Sequence, residues 1–192
     1  LIYEDPESFG EGTDWQDEIF RDAPVQNYQI SLLGGDQRTR YALTGNVFDQ
    51  RGILQGSGFS RMSFRTNLDH DVNDQLHVTS NAYFSRTRQD HVASSNVKSA
   101  LIFAPVLPVK DSTGGYHFIN DVPNGALVVN PVSECREKTD YTRSFYSLIN
   151  LSANYEFFQG LSLKVSLGGE ISNGKRNIYE PRTTYFGNRY DG

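Results

Sequence analysis

The chain has 192 residues, of which 37% are hydrophobic, with 11 Tyr and 12 Phe and a formal net charge of −5. That aromatic content excludes a disordered segment, and the acidic balance speaks against a general nucleic-acid binder, which carries a basic excess. The single cysteine, Cys135, excludes an internal disulfide framework or a cysteine-based metal site.

No apolar run reaches the roughly 18 residues of a transmembrane helix. The opening LIYEDPESFGEGTDW is acidic and lacks the basic start and apolar middle of a signal peptide. With no initiating Met, the sequence is expected to begin inside a longer chain.

In chain order, residues 1–24 read as an irregular lead-in, interrupted by Pro6 and Pro24, with DWQDEIF (14–20) as a short helical turn capped by Asp14. From residue 25 the period is two. NYQISLL (27–33) sets Tyr28, Ile30 and Leu32 on one face, and GGDQRT (34–39) is a turn. TRYALTGNVF (39–48) sets Tyr41, Leu43, Gly45 and Val47 against Arg40, Ala42, Thr44 and Asn46. After a glycine-rich connection (49–58), FSRMSFRTNLDH (59–70) sets Met62, Phe64, Thr66 and Leu68 against Arg61, Ser63, Arg65, Asn67 and Asp69. DVND (71–74) is a tight turn, and QLHVTSNAYFSRTR (75–88) is the fourth alternating run.

Alternation then stops over 89–140, where TGGYHF, VPNGAL and NPVSE hold the turn punctuation; this reads as a large surface loop with local hairpins. It returns in YTRSFYSLINLSANYEF (141–157). After the tight turn FQG, it continues in LSLKVSLGGEI (161–171) to about residue 173, and 174–192 opens the next loop.

The expected fold is all-β: six antiparallel up-and-down strands, their connections alternately short and long. Outer-membrane β-barrels are built this way, with short periplasmic turns and long external loops, and strands of at least about 9–11 residues suit a tilted crossing. The chain is therefore expected to form part of a large transmembrane barrel, with 25–88 as four strands, 89–140 as an extracellular loop and 141–173 as two further strands. Arg40, Arg61, Arg65, Asp69, Arg86, Lys164 and Glu170 would line a water-filled lumen. Alternation alone fits equally a soluble sheet with its apolar face in a dry core.

No chemistry is expected, and no cofactor. Asp69, His70 and Asp71 are adjacent in a strand-like run, where neighbours point to opposite faces, so a polar turn is favoured over a metal site. His77, His91 and His117 have no ligand spacing. Asp14, Asp17 and Glu18 have no feature that would make them the paired acids of a glycosidase, which stand about 5–10 Å apart. Tyr116, Phe118, Tyr185, Phe186 and Tyr190 are candidates for stacking on a sugar or holding a peptide side chain, or else for packing the loops. Tyr28, Tyr41, Phe84, Tyr155 and Phe157 are expected in aromatic belts at the membrane interfaces. Cys135 is a free thiol or pairs outside this segment.

The stretch TDWQDEIFRDAPVQNYQISLLGGDQRTRYALTGNVFDQRGIL (13–54) resembles the SusC/RagA family of TonB-dependent outer-membrane transporters. The resemblance lies in the TDWQDEIFR segment, in Gly34-Gly35 followed by Thr39-Arg40-Tyr41, and in Asp49-Gln50-Arg51-Gly52-Ile53. It continues through FSRMSFRTNLDHDVNDQLHVTSNAYFSRT, APVLPVKDSTGGYHF, NPVSE and FFQGLSLKVSLGGE, to about residue 182. Leu33, where the family often has Ser, is a departure that touches only the turn.

The resemblance implies a barrel of about 22 strands in the bacterial outer membrane, with residues 1–24 following an N-terminal plug. It implies capture of a glycan or peptide under a SusD-like surface lipoprotein lid, and TonB pulling on the plug. Outer-membrane lipid surrounds such a barrel, and pairs of transporter–lid units occur in the family. The readings of other classes are a soluble secreted β-sandwich that binds carbohydrate and a passive porin-like channel.

Overall fold

The computed structural model describes residues 10–117 and 128–190. Six strands form one sheet in the order of the chain: β1 (Val25–Gly35), β2 (Thr39–Arg51), β3 (Gly58–Asp71), β4 (Leu76–Asp90), β5 (Thr139–Phe158) and β6 (Leu161–Tyr179). Every neighbouring pair is antiparallel, so the sheet is an uninterrupted meander. The short turns are built by local acceptors. Asp36 Oδ1 takes the amides of Arg38 and Thr39 at 2.8 and 2.7 Å, and Asn73 Oδ1 takes those of Gln75 and Leu76, both at 2.9 Å. Gly160, at φ 95°, closes the third turn, a conformation that costs glycine little.

The register divides the sheet into two faces, because residues directly paired across strands share a side. Ile30, Gly45, Phe64, Phe84, Ser147 and Ile171 lie in one cross-strand row. The next row toward the short turns is Leu32, Leu43, Thr66, Ala82, Ile149 and Gly169. This apolar face is open to its surroundings: Ile30 is 76% exposed and Leu167 68%. A sandwich would cover it with a second sheet; among the described residues the six strands all belong to one. On β5 the outward side chains run from Phe145 to Phe157. That is about 40 Å along a strand at ~3.3 Å per residue, or roughly 30 Å of height at the ~40° tilt of outer-membrane barrels, which is the thickness of a hydrocarbon core.

β6 runs to Tyr179, past residue 173 where the sequence reading ended it. The apolar alternation stops at Ile171, yet the ladder with β5 continues through Thr139–Tyr179. There it is reinforced by Arg176, which clamps Asp140 with two hydrogen bonds of 2.7 and 2.6 Å. The hydrophobic signal ends where the strand leaves the apolar band, while hydrogen bonding does not.

Buried apolar side chains gather outside the sheet, in a cap at the end that carries the long connections. Three short helices make it: α1 (Trp15–Ile19), α2 (Ser95–Ile102) and α3 (Pro131–Arg136). Trp15, Ile19, Ala100, Phe103, Val128, Val132 and Cys135 form its core. Asp14 caps α1 as expected, its carboxylate accepting from the amides of Gln16 and Asp17. NPVSE, expected as loop punctuation, is the capped start of α3: Asn130 accepts from the amides of Val132 and Ser133, with Pro131 in the first turn. Within 89–140 the described structure is thus irregular chain around the two helices α2 and α3, with a local bridge between Lys110 and Tyr116; VPNGAL lies outside the described residues.

Ile19 is fully buried at the centre of this cap. Ile19→Ala is expected to destabilise the cap by about 2–5 kcal/mol through the cavity it leaves. Hydrogen exchange should show faster exchange of the α1 and α3 amides, with the amides of β2 to β5 unchanged.

Candidate functional site

The polar face of the sheet is the candidate site. Its rows, in register, carry Arg40–Asp69–Thr79–Ser152, then Asn67–Asn81–Asn150, then Thr44–Arg65–Tyr83–Leu148–Glu170, then Asn46–Ser63–Ser85–Tyr146 and Phe48–Arg61–Thr87. Arg40, Arg61, Arg65, Asp69 and Glu170 share this side, and Lys164 joins it through Asn154 and His77. Aromatic rings hold the arginines in place: Arg61 lies 5.8 Å from the Phe48 ring and Arg65 5.3 Å from Tyr83. Tyr83 in turn meets Tyr146 at 6.0 Å. Asn46 Nδ2 donates to Asn27 Oδ1 at 2.7 Å, and Ser31 and Thr44 hydroxyls are 3.2 Å apart. A groove of about 470 Å³ runs between Asn27, Thr44, Arg61 and Tyr83. Such a surface offers hydrogen-bond donors, acceptors and aromatic rings side by side.

Arg86 is a correction. It belongs to the row Tyr28–Val47–Met62–Arg86–Phe145, on the apolar face, because it has the parity of Phe84. The count along 76–88 already carried that information. Phe84 is corrected too: it pairs with Phe64 inside the apolar band, whereas Tyr155 and Phe157, 4.9 Å apart and edge-on, sit toward the short turns.

Asp69, His70 and Asp71 are the last residues of β3, not part of the turn. Asp69 and Asp71 share a side and take His77 from the next strand, at 3.7 and 2.6 Å, while His70 pairs with Thr39 Oγ1 on the other. The acids near the start have structural work: Asp14 caps α1, and Glu18 pairs with Arg136 at 3.1 Å.

The motif residues at 13–21 are the ties of the cap. Trp15 Nε1 donates to the Ala104 carbonyl at 3.1 Å, and its ring lies 4.5 Å from Phe103. Thr13 Oγ1 donates to the Leu107 carbonyl at 2.7 Å. Arg21 donates to the carbonyls of Gly52 and Ser57, and Arg136 Nε to Gln55 Oε1 at 2.9 Å. Gly56, at φ 83°, packs so closely on α3 that any side chain there would meet the Cys135 carbonyl. Residues 10–24 therefore sit at the long-connection end, within the cap.

Of the aromatic candidates, Tyr116 is tied inside the cap. Its hydroxyl donates to Glu137 Oε1 at 3.0 Å and Lys110 lies over its ring at 4.9 Å. Burial first, and Glu137 next, push its pKa up to about 12. Phe118 lies outside the described residues. Tyr185, Phe186 and Tyr190 are on the short helix α4 (Tyr185–Tyr190), where Tyr185 and Phe186 stack edge-on at 5.3 Å and Tyr190 is open to solvent. Cys135 is a buried free thiol that accepts from Asn96 Nδ2 at 3.5 Å; burial pushes its pKa up.

A meander with a bare apolar band, a polar opposite face, short turns at one end and a packed cap at the other is a section of an outer-membrane-type transmembrane β-barrel. No family model matches the chain. It is 30% identical over 185 residues to the TonB-dependent receptor P3 of Formosa agariphila, covering 91% of this chain and 18% of that one. It is 29% identical over 205 residues to the TonB-dependent receptor SusC of Bacteroides thetaiotaomicron, covering 94% and 20%. The structure of the RagAB peptide transporter superposes with a TM-score of 0.68 at 23% identity, over 87% of this chain and 20% of that one. The RagAB peptide importer in its open-open state gives the same score over 88% and 20%. Over about nine tenths of its length the chain is similar to TonB-dependent receptors of the SusC type, and it spans about a fifth of the length of the curated relatives it matches.

Glu134 links α3 to the segment after β6. Lys138 Nζ lies 3.9 Å from its carboxylate and also pairs with Glu180. Burial pushes the Glu134 pKa up, against the pull of Lys138. A carboxyl whose folded pKa is raised stabilises the fold when protonated and ceases to do so as pH rises through that folded value. Glu134→Gln is therefore expected to leave cap stability unchanged at pH 4 and to raise it at pH 8. Thermal scans of cap protease resistance at the two pH values check this.

Proposed function

We propose that this chain forms barrel wall in a TonB-dependent importer that brings a polar oligomer, an oligosaccharide or an oligopeptide, across the bacterial outer membrane. The observation that carries the reading is the two-faced sheet: an apolar band of membrane thickness backed by a row-ordered lining of Asn, Arg, Ser, Thr and Tyr. The names of the relatives support the TonB dependence. On this reading the long connections and the cap face outward, the short turns face the periplasm, and the polar face lines the lumen around a plug that TonB moves. A SusD-like surface lipoprotein closes over the cap as a lid, and Phe186 and Tyr190, exposed at that end, are its candidate contacts or those of the substrate. The wall performs no bond chemistry; it keeps the lumen wet and the plug framed.

Uptake by cells carrying the whole receptor tests this. Labelled oligosaccharide and oligopeptide mixtures are offered with and without a proton uncoupler. Uptake of one class should collapse with the uncoupler; uptake that persists marks a passive channel, and soluble protein recovered without detergent overturns the membrane placement. Leu32→Arg, near the middle of the band, is expected to cost about 2–4 kcal/mol, and Gln26→Arg at its outer margin about 0–1 kcal/mol. The temperature at which each variant barrel loses its compact electrophoretic mobility reads the difference.

A further inference from the structure

The outer margin of the apolar band is charged in one place. The row above Tyr28–Val47–Met62–Arg86–Phe145 is Gln26–Asp49–Ser60–Arg88–Arg143–Lys175, and it lies on the same side of the sheet. Four cations, Arg86, Arg88, Arg143 and Lys175, thus gather over β4, β5 and β6 where hydrocarbon would give way to head groups. Arg88 and Arg143 are fixed by one ring, their guanidinium carbons 4.5 and 4.8 Å from the centre of Tyr141. Asp90 braces Arg88 with hydrogen bonds of 3.0 and 2.8 Å. Among the described residues no carboxylate lies within ion-pairing distance of Arg86, Arg143 or Lys175. A groove of about 230 Å³ opens between Met62, Arg86, Arg88 and Arg143.

An arginine on the lipid side of a barrel is costly at depth and tolerated at the margin, where its stem lies along apolar neighbours and its head reaches the interface. Arg86 meets that description, flanked in register by Met62 and Phe145. Planar guanidinium forks held at fixed positions suit two-point hydrogen bonding to a phosphate. The groove beside them is walled by Met62 and opens onto the apolar band, so the anion that fits carries acyl chains. Resting on the outer-membrane reading above, we propose that Arg86, Arg88 and Arg143, with Lys175 beside them, bind the phosphate of an anionic lipid in the outer leaflet.

The test uses the whole receptor, purified in nonionic detergent and exchanged free of native lipid. Dioctanoyl phosphatidic acid is titrated in the same detergent, with binding followed by native mass spectrometry. The triple variant R86Q/R88Q/R143Q should bind at least about tenfold more weakly, the scale of a lost charge-assisted pair. R38Q, in the short turn at the other end, should bind as the parent does. Dioctanoylglycerol, which has no phosphate, should show no difference between parent and triple variant, and inorganic phosphate should bind far more weakly than the lipid. Equal binding of phosphatidic acid by parent and triple variant overturns the site while leaving import standing. Inorganic phosphate binding as tightly as the lipid overturns the lipid assignment. Should the triple variant fail to assemble, R143Q alone, which leaves Asp90 braced on Arg88, is read the same way; unchanged binding there overturns the proposal too.

Discussion

The strand-to-strand hydrogen-bond ladder is the constraint on which the rest of the structure depends. In hydrocarbon a backbone amide or carbonyl has no water to turn to, so each must find a partner on the neighbouring strand. The meander meets this with short connections on one side, each strand pairing with its neighbours in the chain. Once the ladder is set, the register is set, and a slip of one residue would turn every side chain to the other solvent. The open apolar band, the polar rows opposite it and the position of Arg86 are all consequences of that register.

The sheet has no core of its own, and its buried apolar side chains have moved to one end. Trp15, Phe103 and Val132 come from segments far apart in the chain, and they meet because the lead-in and both long connections end on the same side of the sheet. The cap joins them with polar ties as well as apolar contacts: Arg136 to Glu18 and Gln55, Arg21 to the carbonyls of the β2–β3 connection. Connections that would otherwise sample many conformations are ordered against one another, and the entropy cost of ordering them is offset by burial of a small, well-filled core.

Charge follows the same vertical logic. On the polar face, arginines lie mid-sheet beside aromatic rings and hydroxyls. On the apolar side, Arg86 lies in the row of Phe145 itself, and Arg88, Arg143 and Lys175 lie in the row beyond it, where the strands leave the band. β5 and β6 run on past that margin and are held there by Arg176 and Asp140. Ladder length and band height are therefore separate properties, one set by hydrogen bonding and the other by the surrounding solvent.

The sequence by itself determined the strands, because a period of two over ten or more residues has few other readings and the turns carry strong local chemistry in Asp36, Asn73 and Gly160. It determined the cap of α1 at Asp14 for the same local reason, and it already held Arg86 on the apolar side, for anyone counting on from Phe84. Only the tertiary structure decided what the irregular segments do. Trp15, Ile19, Ala100 and Val132 have no period of their own, and their burial depends on contacts between residues about a hundred positions apart. The fate of Tyr116 depends on Glu137 and Lys110, and the extension of β6 past residue 173 on its partner strand. Local periodicity encodes the solvent on each side of a strand; it cannot encode which distant segments will share a core.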